Sequence, residues 1–127
     1  MEIICVDTDI IIDFSKGHTT LLDTYLELKE KNKAILIVSS ISIFEFFTGV
    51  VEKKIPEAEL LFSSFQVHEV SEDIAKLSAY LNRKYKLIHK IDINDIYIAA
   101  TSIALKAKLL TKTKKHFKYI PEVVFAS

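Results

Sequence analysis

Hydrophobic residues along this chain form short runs that alternate with longer segments of amphipathic spacing. Five runs rich in Ile, Val and Leu predict strands at residues 3–7, 35–38, 66–70, 109–111 and 122–125. Between these runs, apolar residues recur every three or four positions and predict helices over 20–32, 57–65, 72–86 and 94–107. The alternation predicts an α/β fold, with a mostly parallel central sheet of about five short strands flanked by helices.

The segment 94–107 differs from the other predicted helices because it is apolar on two sides. One stripe combines Ile96, Ala99, Ala100 and Ile103, and a second contains Ile98 and Leu105. A helix that is apolar on more than one face is normally enclosed by its neighbours. We therefore expect it to be the most buried helix.

Length and composition fit one compact domain spanning residues 1–127. Half of the residues are apolar, and Gly and Pro number only two each, so no segment has the composition of a linker. Cys5 is the single cysteine, which excludes an intrachain disulfide. With neither a signal-peptide pattern nor a run of membrane-spanning length, we expect a cytoplasmic protein without a membrane partner.

Three widely separated carboxylates stand where apolar segments become polar. Asp7 closes the first predicted strand, Glu45 lies in an aromatic-rich helical segment, and Asp95 begins helix 94–107. In a parallel sheet, the carboxyl ends of the strands and the amino ends of the following helices share one edge, where ligand sites usually form. The three carboxylates therefore form a candidate metal site.

Structural explanations remain open for these acids. The spacing from Ser42 to Glu45 fits a capping box, in which the glutamate bonds back to the amide of the capping residue. Asp92 would likewise cap the last helix, placing Asp95 at its third position, where the helix dipole favours negative charge. A helix amide could also be the partner of Asp7. Asp9 is left open, and Asp13 is expected to be exposed.

Charge is unevenly distributed along a chain whose formal net charge is zero. Residues 103–127 carry six lysines against a single acid, Glu122, so the remainder of the chain is acidic. A basic rim suits a polyanion whose phosphate meets a carboxylate-bound cation, and Lys112, Lys114 and Lys115 are the candidate contacts. A solvated lysine face is the alternative, because a bidentate phosphate clamp would more often use arginine.

Taken in order, four elements resemble the successive signatures of PIN-domain ribonucleases, and in particular of VapC-type toxins from toxin–antitoxin pairs. The elements are the segments around Asp7, from Val38 to Glu45, from Asp95 to Thr101, and from Leu109 to Lys112. The resemblance implies a metal-dependent endoribonuclease in which Asp7, Glu45 and Asp95 hold Mg²⁺ or Mn²⁺ and cleavage leaves 5′-phosphate and 3′-hydroxyl ends. It also implies a cognate antitoxin partner and a homodimer.

The chain departs from this pattern where a fourth acid is expected, because position 113 is Thr. The Asp that often precedes Phe in this segment is also replaced, by His116 before Phe117. Three outcomes follow: an enzyme with one metal, a site that recruits Asp92, Asp9 or His116, or a degenerate module that binds RNA or protein without turnover. We favour reduced but real activity.

A haloacid dehalogenase-like phosphatase is a further alternative. The Asp7-Thr8-Asp9 sequence after the first strand is similar to the nucleophile motif of that family, and Ser39 resembles its second motif. However, no Gly-Thr follows Asp9, no later strand ends in paired aspartates, and 127 residues is short for that fold. The phosphatase is the weaker alternative.

Overall fold

The central sheet has four parallel strands. The computed structural model describes residues 1–18 and 21–126. Its strands are β1 (Glu2–Val6), β2 (Ala34–Ser39), β3 (Gln66–His68) and β4 (Lys108–Leu110), in the spatial order β3-β2-β1-β4. The helices within these ranges are α1 (Thr8–Ser15), α2 (Leu21–Glu30), α3 (Ser40–Thr48), α4 (Ile55–Phe62), α5 (Glu72–Tyr85) and α6 (Ile93–Ala104). The predicted α/β class is confirmed.

Helices cover both faces of the sheet, as the apolar runs of the strands require. Successive residues of β1 point to opposite faces, so Ile4 and Val6 join a core beneath α1 to α4, whereas Cys5 joins a second core beneath α5 and α6. All three side chains are fully buried. The sheet is therefore the middle layer of three.

The predicted helices agree with the structure to within a few residues at each end. The helix predicted over 20–32 corresponds to α2, with residue 20 lying outside the described residues, and the helix predicted over 94–107 corresponds to α6. Half of the residues of α6 are buried, more than in any other described helix, so the expectation for this segment is confirmed. No helix in the described ranges combines the length and apolar character needed to cross a membrane.

The fifth predicted strand, at 122–125, does not form a strand. Leu109 alone bridges to Phe125, with its N–H donating to Val124 and its carbonyl accepting from Ala126. In the described residues only the N–H and the carbonyl of Leu109 bond this segment, so the contact stays a single bridge rather than a ladder. The segment instead packs Val123 and Ala126 into the two cores.

The strand order places a crevice between β1 and β4. From β1 the chain proceeds outward through β2 and β3, and then returns to the other side of β1 as β4. Such a reversal separates the loops that follow the two strands, and ligands of open α/β sheets bind outside the carboxyl ends at this point. Asp7 directly follows β1 and Thr111 directly follows β4, so both lie at this edge.

Candidate active site

Asp7 is the most deeply buried of the three predicted acids. It directly follows β1, serves as the N-cap of α1, and accepts a hydrogen bond from the Thr8 N–H at 2.7 Å. Its second carboxylate oxygen accepts a bond from Thr111 Oγ1, also at 2.7 Å. Only 4% of Asp7 is exposed, so the two strands of the crevice are joined through a buried carboxylate.

Glu45 reaches the same edge from within α3. Thr8 Oγ1 donates to Glu45 Oε1 at 2.6 Å and lies 2.8 Å from the buried hydroxyl of Ser42. The other carboxylate oxygen accepts a longer bond of 3.4 Å from the amide of Asn94. Glu45 therefore links α1, α3 and α6.

The capping-box explanation for Glu45 is wrong. Helix α3 begins one turn earlier than that motif requires, and its N-cap is Ser39, whose hydroxyl accepts from the Ile41 N–H at 3.1 Å. Glu45 consequently lies too far along the helix to bond back to the cap. Its carboxylate is instead available at the carboxyl edge of the sheet.

Asp95 enters the site from the first turn of α6. Asp92 caps this helix by accepting from the Asn94 N–H at 2.9 Å, which confirms its predicted capping position. Asp95 Oδ2 lies 3.4 Å from Nδ1 of His116, and the Asp95 side chain is 19% exposed whereas that of His116 is 48% exposed. Of the auxiliary candidates, His116 therefore reaches the acids directly, whereas Asp92 stays at the exposed helix end.

Asp9 and Thr113 meet across the crevice. Thr113 Oγ1 donates to Asp9 Oδ2 at 3.1 Å, and the Lys112 N–H lies 3.3 Å from the same oxygen. Asp13, one turn further along α1, pairs instead with Lys112 Nζ at 2.6 Å, which holds the pKa of Asp13 below its usual value. Asp9 therefore faces the site, while Asp13 is held at its margin.

Burial and mutual repulsion raise the pKa values of two acids. Removal from water, followed by the charges of Asp9 and Asp95, raises the pKa of Asp7 to about 7, although the bonds from Thr111 and Thr8 oppose this. Burial also raises the pKa of Asp95 to about 6, with Asp92, Glu45 and Asp9 adding to the shift and His116 opposing it. Burial is the larger cause of both shifts, and the neighbouring carboxylates add to it.

The donor chemistry of the site suits a hard divalent cation. Asp7, Glu45 and Asp95 offer carboxylate oxygens, the ligands preferred by Mg²⁺ and Mn²⁺, and a cation would offset the burial and mutual repulsion that raise the pKa values of Asp7 and Asp95. As they stand, no three side chains of the described His, Cys, Asp and Glu residues converge on one ion position. The threonine hydroxyls now hold two of these carboxylates, so binding would require them to turn toward the ion.

A shallow basic depression adjoins the carboxylates. Its volume is about 530 Å³, and it is lined by Leu21, Thr111, Lys112, Thr113, Lys114 and Lys115. Thr111 and Thr113 bond Asp7 and Asp9 respectively, so the depression and the acids share a wall. Lys114 and Lys115 are exposed, whereas Lys112 is engaged by Asp13.

A match to a protein-family model agrees with this arrangement of strands and acids. The family model for the PIN domain covers residues 4–123, from the second residue of β1's apolar run to the segment after β4. The chain is a PIN domain. This match also excludes the haloacid dehalogenase-like alternative, since it takes in all four strands and all three predicted acids.

Relatives of this PIN domain are VapC-type proteins. The chain is 34% identical over 119 residues to ribonuclease VapC19 of Mycobacterium tuberculosis, covering 93% of this chain and 94% of the relative. Among solved structures, VapBC2 of Rickettsia felis bound to a promoter DNA fragment superposes with a TM-score of 0.82 at 25% identity, covering 98% of this chain and 97% of that one. A toxin–antitoxin complex from Klebsiella pneumoniae gives 0.69 at 27% identity, covering 94% of each chain. The predicted VapC-type resemblance is confirmed.

Four polar residues of the PIN site were not predicted from the sequence. Thr8, Asn94 and Thr111 bond the acidic side chains directly, and Ser42 accepts a hydrogen bond from the Thr8 hydroxyl. Three of them are also largely buried, and only Asn94 is partly exposed. Two of these residues could have been predicted, because each is a threonine at the carboxyl end of an apolar run. Thr8 follows Asp7, and Thr111 follows Leu109-Leu110.

Proposed function

We propose that this PIN domain is a divalent-metal-dependent endoribonuclease acting as the toxin of a toxin–antitoxin pair. The observation that carries the proposal is that Asp7, Glu45 and Asp95 are neighbours at the carboxyl edge of the sheet, where Thr8 bonds both Asp7 and Glu45 and the charge of Asp95 acts on Asp7. The relatives named ribonuclease VapC support RNA as the substrate. An RNA substrate supports a cytoplasmic site of action.

Each acid has a distinct part in the proposed site. Asp7 and Asp95 have raised pKa values, so their ionised carboxylates would be stabilised most by a bound cation. Glu45 would supply a third carboxylate from α3. A bound Mg²⁺ or Mn²⁺ would supply Lewis-acid stabilisation of the phosphate and acidify a bound water. Thr8 and Thr111 orient the carboxylates, as supporting groups around metal ligands commonly do.

The first experiment is cleavage of a structured RNA pool by purified protein with Mg²⁺, Mn²⁺ or EDTA. We expect cutting with either metal and none with EDTA, and loss of cutting in Asp95→Asn prepared identically, which controls for contaminating nuclease. The products should carry 5′-phosphate and 3′-hydroxyl ends. If folded, antitoxin-free protein cuts no RNA with either metal, the proposal fails in favour of a degenerate module that binds RNA or protein, as the uncharged Thr113 would allow.

The lysines beside the acids are proposed to hold the RNA backbone. Replacing Lys114 and Lys115 together by Gln should weaken binding of single-stranded RNA and lower the slope of log affinity against log salt by about 1 to 1.5, because each lysine displaces counterions. Binding should be measured in EDTA to prevent cleavage. The double replacement Lys53→Gln with Lys54→Gln, an exposed pair in the Glu52–Lys54 turn, is the control and should leave the slope unchanged.

Partners are proposed from the same comparisons. The solved neighbour described as a toxin–antitoxin complex supports a cognate antitoxin for this chain. The family resemblance also supports a homodimer. Light scattering of the purified chain, alone and co-expressed with the product of any adjacent short reading frame, tests both assemblies.

A further inference from the structure

Thr113 leaves one corner of the site without the acid that the family pattern places there. The structure shows what occupies that corner, because Thr113 Oγ1 donates to Asp9 Oδ2 at 3.1 Å. We propose that Asp9 supplies the fourth carboxylate of the cation site, from the first turn of α1 rather than from the segment after β4. The proposal rests on the proposed function and assigns a ligand-supplying role to a residue that the sequence left open.

Asp9 is held in place by groups from the loop that lost the acid. Besides Thr113 Oγ1, the Lys112 N–H lies 3.3 Å from Oδ2 and 3.4 Å from Oδ1, and Thr111 Oγ1 lies 3.5 Å from Oδ2. The Thr113 hydroxyl and the Lys112 N–H donate to Asp9, whereas the hydrogen of the Thr111 hydroxyl goes to Asp7, so the Asp9 carboxylate is oriented across the crevice rather than free in solvent. The orientation is what a site ligand requires.

The negative charge of Asp9 belongs to the acidic cluster. Thr111 Oγ1 lies 2.7 Å from Asp7 Oδ2 and 3.5 Å from Asp9 Oδ2, so the two carboxylates lie on either side of one hydroxyl. Among the ion pairs of the described residues, the nearby lysine at 112 engages Asp13 and not Asp9. The charge of Asp9 is therefore available to a cation.

The residues at 9 and 113 are chemically matched. A hydroxyl at 113 donates to the carboxylate of Asp9, whereas an acid at 113 would bring two like charges to nearly the same place and raise the cost of ionising both. A site needs the acid at only one of these positions. It follows that moving the carboxylate from position 9 to position 113 should preserve cation binding.

The test is Mn²⁺ binding by calorimetry, without RNA, so that it does not depend on turnover. Asp9→Asn should weaken Mn²⁺ binding by about tenfold or more, while Asn keeps the acceptor for Thr113 and so preserves the thermal midpoint. The double variant Asp9→Asn with Thr113→Asp should restore most of the affinity. Asp23→Asn, which removes the equivalent first-turn acid of α2, is the matched control and should bind as the wild type does.

Each result distinguishes this inference from the proposed function. Wild-type affinity in Asp9→Asn would overturn the inference while leaving the nuclease proposal to stand on RNA cleavage. Weakened binding that Thr113→Asp fails to reverse would also overturn it, because Asp9 would then not substitute for an acid at 113. No Mn²⁺ binding by the wild-type protein would overturn the inference, and RNA cleavage alone would then decide the proposed function.

Discussion

Replacing Asp7 by Asn should abolish RNA cleavage while leaving the fold intact. Asn keeps the shape and can still accept the Thr8 N–H as the N-cap of α1, but it removes the most buried negative charge of the crevice. Since losing a group that merely supports a metal ligand costs about 10- to 100-fold, losing a ligand should cost more than about 100-fold. Cleavage of the RNA pool in Mn²⁺, compared with wild type at equal concentration, measures the loss.

A control variant is needed to distinguish loss of the cleavage reaction in Asp7→Asn from loss of folded protein. Asp73→Asn removes an exposed first-turn acid of α5, far along the chain from the crevice, and should cleave as the wild type does. Far-ultraviolet circular dichroism should be the same for both variants. Undiminished cleavage by Asp7→Asn would remove this residue from the mechanism.

The positions of Asp7 and Asp95 could be predicted because each depends on a local pattern. A carboxylate at the end of an apolar run lies at the carboxyl edge of a parallel sheet, and an acid in a first helical turn lies at the same edge. Both patterns are complete within about five residues. The structure accordingly places these two acids where the sequence indicated.

The position of the Glu45 carboxylate could not be predicted from the neighbouring residues, because the sequence left the start of α3 ambiguous by one turn. Ser39, Ser40 and Ser42 are all acceptable N-caps by residue type, and choosing Ser42 turned Glu45 into a capping residue. The structure selects Ser39, since β2 continues to that residue. The partner that fixes Glu45 is Thr8, which is 37 positions away, so a tertiary contact decides where its carboxylate lies.

The loop after β4 is a second case in which a contact between distant residues could not be predicted from the sequence. The sequence revealed that an acid was missing at 113 but not that Asp9 lies within hydrogen-bonding distance of Thr113. Their separation of 104 residues is closed only by the parallel pairing of β1 with β4. Strand order is a global property, and periodicity within one segment does not contain it.

Asp7→Asn should also stabilise the metal-free protein at neutral and alkaline pH. The pKa of Asp7 rises from 3.8 to about 7 on folding, chiefly through burial. Well below pH 3.8 the carboxyl is protonated in both states and carries no ionisation cost. As pH rises to 7, the folded state retains a proton that the unfolded state has lost, so the free energy of unfolding falls and the full cost is present above pH 7.

The expected gain follows from the size of that shift. At about 1.4 kcal/mol per pKa unit, the ceiling is about 4 kcal/mol, and relaxation of the crevice reduces the expected value to about 2 kcal/mol. For a domain of this size this corresponds to roughly 5–10 °C in the thermal midpoint. The measurement is thermal unfolding of wild type and Asp7→Asn in EDTA, with a large difference at pH 8 and a small one at pH 4.5.

Adding Mn²⁺ should reverse the order of the two proteins. A ligand that binds only the folded state stabilises it by mass action, and the wild-type site retains the carboxylate that the variant lacks. The wild-type midpoint at pH 8 should therefore rise with Mn²⁺ concentration, while that of Asp7→Asn stays nearly constant. The opposite result would be a lower thermal midpoint for Asp7→Asn than for the wild type in EDTA at pH 8. Asp7 would then be a structural cap whose negative charge stabilises the fold, and the proposal that its buried charge serves to bind a cation would fail.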